Sequence, residues 1–382
     1  MTELDDRLLA LRTHARGWAG DLRAVALRLE REPDLIMGSL GLPAMDHVGL
    51  FQSPPRFRPA PLVVGSHRFT GDSLLEQVVL VEELACGDLG ALMAAPGAPM
   101  AGPLVALLGD EQQQENFFGR LASRPTWTFF ALTEPRGGSA ATSLETRLRR
   151  DGDGYLLDGV KKYIGNACRA GVGVVFARSD PGPLGIRAVL VDAEDAGYTA
   201  TALPTLGLSA AGLSELTLRS VRLPSERLLG RQLSAVRRGM LGWTRTFDRL
   251  RPVVAAMGIG VARAAHDYVR AHRRVLRGDE RTRWEELGLR IDAARRLVRH
   301  AAVTVDANPA QGHVASAAKV RSTRLAEDVT LAALGFFGPG ARLDHPLLDK
   351  FARDARGVEF MEGSGDVQKL AVHHKLTRGR TS

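Results

Sequence analysis

Cysteine is almost absent from this 382-residue chain: Cys86 and Cys168 are the only two, far apart in sequence. Two such thiols build neither a disulfide framework nor a metal-ligand set. The ten histidines are scattered, and the His373-His374 pair lies in a basic segment without a cysteine or carboxylate at ligand spacing, so no metal site is expected. Aromatic residues make up 5% of the chain, and no aromatic-basic platform accompanies the arginines, which argues against nucleic acid as a partner. No apolar run reaches the roughly 18 residues of a membrane span. The start, MTELDDRLLALRTHARGWAG, places acidic residues before any apolar run and has no signal-peptide core, so the expected location is the cytoplasm. Several motifs are missing as well. There is no G-x-x-x-x-G-K-[ST] loop, no completed dinucleotide fingerprint around GVG at 171–173, and no G-x-S-x-G elbow. These absences exclude P-loop and Rossmann nucleotide binding and a serine hydrolase of that type.

What is present is the balance of a globular protein, 45% apolar and 25% charged, with enough length for two or three domains. A net charge of +8 and a pI near 10 favour an anionic partner, such as a small phosphorylated ligand or an acidic protein.

The hydrophobic period changes twice along the chain. Residues 1–126 read as helical, with LLEQVVLVEELA (74–85) placing Leu75, Val78, Val79, Val81 and Leu84 largely on one side. The stretches SPPRFRPAPL (53–62) and APGAPMAGP (95–103) punctuate it. Residues 127–232 turn to short β-like runs with turn signals between them, and DGDG at 151–154 reads as a hairpin. From 233 to 382 helical spacing returns, with Val253, Met257, Val261, Ala264 and Tyr268 on one face. The pattern predicts an N-terminal helical domain, a middle β domain and a C-terminal helical domain.

Four short stretches could carry chemistry. In FFALTEPRGGSAA (129–141) a strand runs into Thr133-Glu134-Pro135 and then Gly137-Gly138-Ser139, hydroxyl and glycine backbone suited to a flat polar ring or a phosphate, or to an ordinary strand-to-turn junction. GVKKYIGNAC (159–168) sets Tyr163 beside Ile164-Gly165-Asn166 at a strand end, for stacking on a cofactor or for plain packing. FDRLRP (247–252) spaces Asp248 and Arg251 three apart on a helix, which by itself is a local ion pair. GVEFMEGSGD (357–366) holds Glu362 between an apolar run and flexible glycine backbone, either a solvated residue at a helix start or a general base whose pKa a dry pocket raises.

Taken together and in this order, the four stretches resemble the acyl-CoA dehydrogenase family. The likeness runs from about residue 75 (EQVVLVEELACGD) to about 376 and rests on TEP-x-x-GS, K-x-aromatic-I, FD-x-x-RP and RDAR-x-x-x-x-x-EG. It implies an α+β fold with an N-terminal helical domain, a middle β-barrel or sandwich, and a C-terminal four-helix bundle. It also implies FAD and the dehydrogenation of an acyl thioester between Cα and Cβ. On that comparison Glu362 is the base, with its backbone N–H and Gly363 against the thioester. Phe130, Leu132, Thr133, Gly138, Ser139, Tyr163, Ile164, Gly165, Ser364 and Asp366 fall at FAD positions. Ser139, Asp248 and Arg251 fall where the substrate's carrier arm binds. Some relatives carry the base just before the arginine of FD-x-x-RP, and here that residue is Leu250.

Several positions depart from the family. Ala140 follows Ser139 in place of the usual aspartate, and Gly165 stands where a threonine is common. The pyrophosphate motif is imperfect in RRVLRGDERTRW (273–284), and Gln-x-x-Gly-Gly-x-Gly is reduced to LGFFGPG (334–340). These departures suggest a divergent member, of the kind associated with polyketide pathways, acting on a thioester of CoA or of an acyl carrier protein. The expected partners are an electron acceptor such as an electron-transfer flavoprotein and further copies of the chain in a homodimer or homotetramer. An acyl-thioester oxidase or other oxygen-using flavoenzyme, and a binding protein on a decayed enzyme fold, are the alternatives.

Overall fold

A computed structural model describes residues 3–49, 52–58, 60–137, 143–234, 238 and 240–378. Helix α1 (Asp6–Arg31) begins at Asp5, whose carboxylate accepts the Leu8 N–H, and buries Leu8, Leu11, Ala15, Trp18 and Leu22 at three- and four-residue steps. The short α2 (Pro43–Val48) and the hairpin of β1 (Leu62–Val64) and β2 (His67–Phe69) lead into α3 (Leu74–Ala94). Then come α4 (Ala101–Leu108) and α5 (Glu111–Ser123), the latter opened by a reciprocal cap between Asp110 and Gln113.

Helix α3 is apolar nearly all round and buried accordingly, but it is not continuous. Asp88, at φ −161° and ψ 125°, leaves the helical region, and its Oδ1 accepts the Ala91 N–H at 2.8 Å. The residue therefore caps a second short helix inside what the sequence shows as one.

Seven strands follow: β3 (Thr128–Ala131), β4 (Arg147–Asp151), β5 (Gly154–Ile164), β6 (Val172–Arg178), β7 (Ile186–Asp192), β8 (Tyr198–Ala202) and β9 (Ser214–Leu223). They pair in the order β3-β6-β4-β5-β9-β8, with β7 also on β6. The DGDG hairpin is present, Asp151 facing Gly154 across a turn in which Gly152 takes φ +62°. The C-terminal helices are α6 (Met240–His272), α7 (Gly278–Ala307), α8 (Gly312–Leu334), α9 (Ala341–Asp344), α10 (Pro346–Val358) and α11 (Gly365–Arg378). The first three pack on one another, and α10 and α11 lie along α8. Among the described residues no helix is long and apolar enough to cross a membrane.

Alternation along β6 divides the interior. Val175 and Ala177 join a large core shared by α1, α3, α6, α7, α8 and α10, while Val172, Val174 and Phe176 face a second cluster with Leu104, Phe117 and Phe118 from α4 and α5. The sheet is thus covered on both faces, and the helical segments at the two ends of the chain share one core.

A buried ion triad ties these parts together. Lys350 on α10 donates to Asp88 at 2.7 Å and to Asp354 at 2.5 Å, and the other oxygen of Asp354 accepts the Leu208 N–H at 2.6 Å. Burial alone would depress the ammonium, but the two carboxylates outweigh it and hold Lys350 above the ordinary lysine value. Replacing Lys350 by methionine keeps the apolar stem and strands two buried carboxylates. The expected loss of stability is about 3–5 kcal/mol, read as a lowered unfolding midpoint at pH 7, and an unchanged midpoint would contradict this account.

Candidate active site

The three parts of the fold meet around a cavity of about 1060 Å³. Its β wall is the end of β3 with Leu132, Thr133, Glu134 and Pro135, and the end of β5 with Tyr163, Ile164, Gly165 and Asn166. Its helical wall comes from α3 and α6, and its third side is the turn between α10 and α11 that carries Glu362.

The β wall is fixed from behind. Glu134 accepts from Glu145 N (2.6 Å), Thr146 N (2.9 Å), Thr146 Oγ1 (2.6 Å) and Lys161 Nζ (2.8 Å). Burial would raise this carboxyl, but the donors prevail and hold it below the usual range. Lys161 is fully buried, and desolvation pulls its ammonium down to about 8 against the opposing pull of Glu134. It also donates to Leu132 O at 3.1 Å, while Lys162 N donates to Thr133 O at 2.9 Å. Leu132 and Thr133 are therefore held to β5 through their carbonyls, leaving their other edges toward the cavity. At the far end of β5, Tyr163 and Asn166 adopt φ +61° and +59°. Asn166 donates its amide to Met93 O at 3.0 Å, whereas its Oδ1 is buried without a partner.

The turn bearing Glu362 is equally constrained. Lys319 on α8, with a fully buried side chain, donates to Glu359 O at 2.5 Å and to Gly363 O at 2.9 Å. Glu359 closes the turn on itself by accepting the Gly365 N–H at 2.6 Å and the Thr323 hydroxyl at 2.7 Å. Gln368 donates to Glu362 O at 3.0 Å and accepts from Ser316 at 2.8 Å. Glu362 sits at φ +49°, a conformation few non-glycine residues adopt without such support. Gly363 follows at φ +93°, where a Cβ would come 2.5 Å from Gln368 Nε2.

One buried polar atom of the turn is left without a partner. Glu362 Oε2 is buried and has no hydrogen-bond partner. The part of Glu362 that reaches solvent is elsewhere on the residue, which as a whole is half-buried. Desolvation pushes the carboxyl up to about 7, partly offset by the nearby charges of Lys319 and Arg251.

Asp248 and Arg251 are on α6 as expected, but they bond to each other at 2.5 Å and do not line the cavity. The Asp248 carboxylate packs on the start of α8, where a Cβ on Gly312 would come 2.3 Å from it. Its pKa is raised by burial and eased down by Arg251 and His313. Arg251 Nε is buried without a partner, and its charge acts on Glu362.

Of the other candidates, Phe130, Leu132, Thr133, Tyr163, Ile164, Gly165, Gly363 and Ser364 line the cavity with Glu362. Asp366 does not. It is in the first turn of α11, where an acid complements the helix dipole, and it pairs with Lys369 at 2.9 Å in the open. Gly138 and Ser139 lie outside the described residues. Arg273, in the imperfect pyrophosphate motif, is held by both oxygens of Glu280 at 2.8 Å. The sequence reading missed Lys161, Asn166, Lys319 and Gln368. Only Lys161 and Asn166 stood inside a quoted stretch, and Lys319 sits on an ordinary amphipathic helix with no local signal.

Comparison with known proteins places this geometry. Residues 129–221 match the middle domain of acyl-CoA dehydrogenases, and residues 237–377 match the acyl-CoA dehydrogenase C-terminal domain. A probable acyl-CoA dehydrogenase of Mycobacterium tuberculosis, FadE25, is 26% identical over 393 residues, covering 95% of this chain and 100% of that protein. The short-chain-specific acyl-CoA dehydrogenase of Clostridium acetobutylicum is 29% identical, covering 81% and 84%. Among solved structures, butyryl-CoA dehydrogenase from Megasphaera elsdenii superimposes with a TM-score of 0.84 at 25% identity, covering 99% and 100% of the two chains. The prolyl acyl carrier protein oxidase AnaB shares the fold, with a TM-score of 0.81 at 19% identity and coverage of 98% and 100%.

The raised carboxyl has a thermodynamic consequence. A folded-state pKa near 7 against 4.5 means that the native protein holds this proton more tightly than the unfolded chain, so stability falls as pH rises from about 4.5 to 7. Glu362→Gln removes the penalty. The variant is expected to match the parent at pH 4 and to exceed it above pH 7 by on the order of 1–3 kcal/mol, measured by denaturation at both pH values. Equal stability above pH 7 would show that the carboxyl is not desolvated.

Proposed function

Because the chain belongs to the acyl-CoA dehydrogenase family, we propose that it is a flavin-dependent acyl-thioester dehydrogenase in which Glu362 removes the α-proton. One observation carries this reading: Glu362 Oε2 is buried without a hydrogen-bond partner on the wall of a cavity of about 1060 Å³. Pockets for a single drug-sized molecule span about 300–1,000 Å³.

The residues present fit FAD. Leu132, Thr133, Ile164 and Gly165 offer a backbone-rich wall for a flat ring, Tyr163 stands exposed at its edge, and the buried Asn166 Oδ1 lacks a donor. FAD, when bound, supplies the two-electron acceptor for the hydrogen leaving Cβ with its electron pair. The chain does the rest. The apolar face of α6 and the 129–133 strand end exclude water from the space between thioester and base. Without water Glu362 is a stronger base, better matched to a weakly acidic C–H. As Oε2 takes the α-proton, the Cα–H electron pair becomes the new Cα–Cβ double bond and the carboxylate becomes the neutral acid. The backbone N–H of Glu362 and the open approach over Gly363 serve the thioester carbonyl, where charge builds up. Arg251 and Lys319 lie near enough to temper Glu362, yet their hydrogen bonds go to Asp248 and to the Glu359 and Gly363 carbonyls. They neither bond the base nor quench it. The thioester's carrier is CoA or an acyl carrier protein, and the electrons pass on to an electron-transferring flavoprotein.

The test is anaerobic mixing of the purified protein with a saturated acyl thioester. Bleaching of the bound flavin is expected for the parent, and Glu362→Gln should keep its flavin while bleaching at least about 100-fold more slowly. A variant that bleaches at the parental rate would remove Glu362 from the chemistry, and a protein isolated without flavin would remove the whole reading.

A further inference from the structure

Both ends of the turn that presents Glu362 are held by one side chain, and the inference drawn from this rests on the reading just given. Lys319 Nζ donates to Glu359 O at 2.5 Å and to Gly363 O at 2.9 Å, so its two bonds bracket Glu362 from three residues before it to one residue after. The Glu359 carbonyl closes the C-terminal end of α10, where a helix leaves its acceptors without intrahelical partners and a cation complements the dipole. Gly363, at φ +93°, returns the chain toward α11. With both carbonyls drawn onto α8, Glu362 cannot relax from φ +49° without disturbing one of the two bonds.

Lys319 does this from behind. Its side chain is fully buried and does not line the cavity. The carboxylate oxygen nearest its ammonium, Glu359 Oε2, is 3.8 Å away and accepts the Thr323 hydroxyl, so no tight ion pair closes off the lysine charge. That charge reaches Glu362. Burial raises the Glu362 carboxyl and Lys319 is the larger of the two groups that pull it back, while burial lowers Lys319 and the charges of Glu359 and Glu362 pull it up. The second group acting on Glu362 is Arg251 of α6, which bonds Asp248, and Asp248 in turn feels His313 at the start of α8. On α11, Asp366 and Lys369 pair with each other in the open.

We propose that Lys319 is a positioning residue for the base: it pins the turn that presents Glu362 and keeps the carboxyl available to accept a proton at neutral pH. It touches neither thioester nor flavin. Its effect on the reaction passes through Glu362 alone.

Two substitutions separate the two roles. Lys319→Met keeps an apolar stem and loses both the donors and the charge, whereas Lys319→Gln loses the charge and keeps an N–H donor. Each is made with and without Glu362→Gln, and denaturation is followed from about pH 4 to about pH 9. In the parent, the stability curves with and without Glu362→Gln part above about pH 4.5 and run parallel again above about 7. In both Lys319 variants they are expected to go on separating to about pH 8, a shift of about one unit. Anaerobic bleaching of the flavin-loaded protein by a saturated acyl thioester should show the same shift. At pH 6 Lys319→Gln is expected to bleach about tenfold more slowly than the parent and to approach the parental rate at high pH, while Lys319→Met stays slow at every pH. A lysine with a merely structural role would lower the rate by one factor throughout and leave both midpoints in place. That result overturns the inference, and Lys319→Gln decides alone should Lys319→Met fail to fold. The stability curves need no turnover, so a shift in them without any bleaching by thioester supports the hold of Lys319 on Glu362 and overturns the dehydrogenase reading.

Discussion

A lysine ammonium removed from water must be surrounded by acceptors, and the cavity of this protein is framed by three that are. Lys161, Lys319 and Lys350 are each essentially inaccessible, and each joins segments distant in sequence. Lys161 fastens the end of β3 to β5 through Leu132 O and Glu134. Lys319 draws the carbonyls of Glu359 and Gly363 onto α8. Lys350 joins the break in α3 to α10 and, through Asp354, to the loop at Leu208. For Lys161 and Lys350, removal of one partner leaves an uncompensated buried charge, which costs far more than the pair's net worth, and removal of Lys319 leaves two carbonyls of the Glu362 turn without their donor. The geometry around the cavity is over-determined for that reason.

Over-determination explains how Glu362 can be both strained and unsatisfied. A glutamate at φ +49° with a desolvated carboxyl opposes folding twice, through its backbone and through its lost hydration. The neighbours that could relieve it are directed elsewhere: Arg251 Nη1 to Asp248, Lys319 to two carbonyls, Gln368 to Ser316 and the Glu362 carbonyl. The unpartnered state of this carboxyl is thus a property of a network that withholds donors from one oxygen.

Much of this was legible in the sequence, and the boundary of what was legible is physical. Local rules give the α, β, α order, the Asp151–Gly154 hairpin and the amphipathic face of α6, because period and turn chemistry act over a few residues. Glu362, the strand-end residues 132–133 and 163–165, and Gly363 came from short motifs, and these residues do meet at one cavity. The break at Asp88 was invisible, since a helical pattern runs straight through it and the reason for it, Lys350, is 262 positions away. Lys319 escaped for the same cause. Asp248 and Arg251 were seen as a pair, but whether a pair faces a cavity or is turned away from it depends on the helix packed behind it, here the start of α8. Asp366 is the converse, a residue next to a motif that proves to belong to the following helix.

The core shared by α1, α3 and the C-terminal helices runs from Leu8 to Val358, so α1 packs against residues hundreds of positions later in the sequence. One face of the sheet and α4–α5 have a cluster of their own, built from residues between Ala98 and Leu229, while the other face of the sheet belongs to the large core. The apolar face of α1 therefore stays uncovered until α10 reaches it, and contacts of such long sequence separation make this part of the fold slow to close.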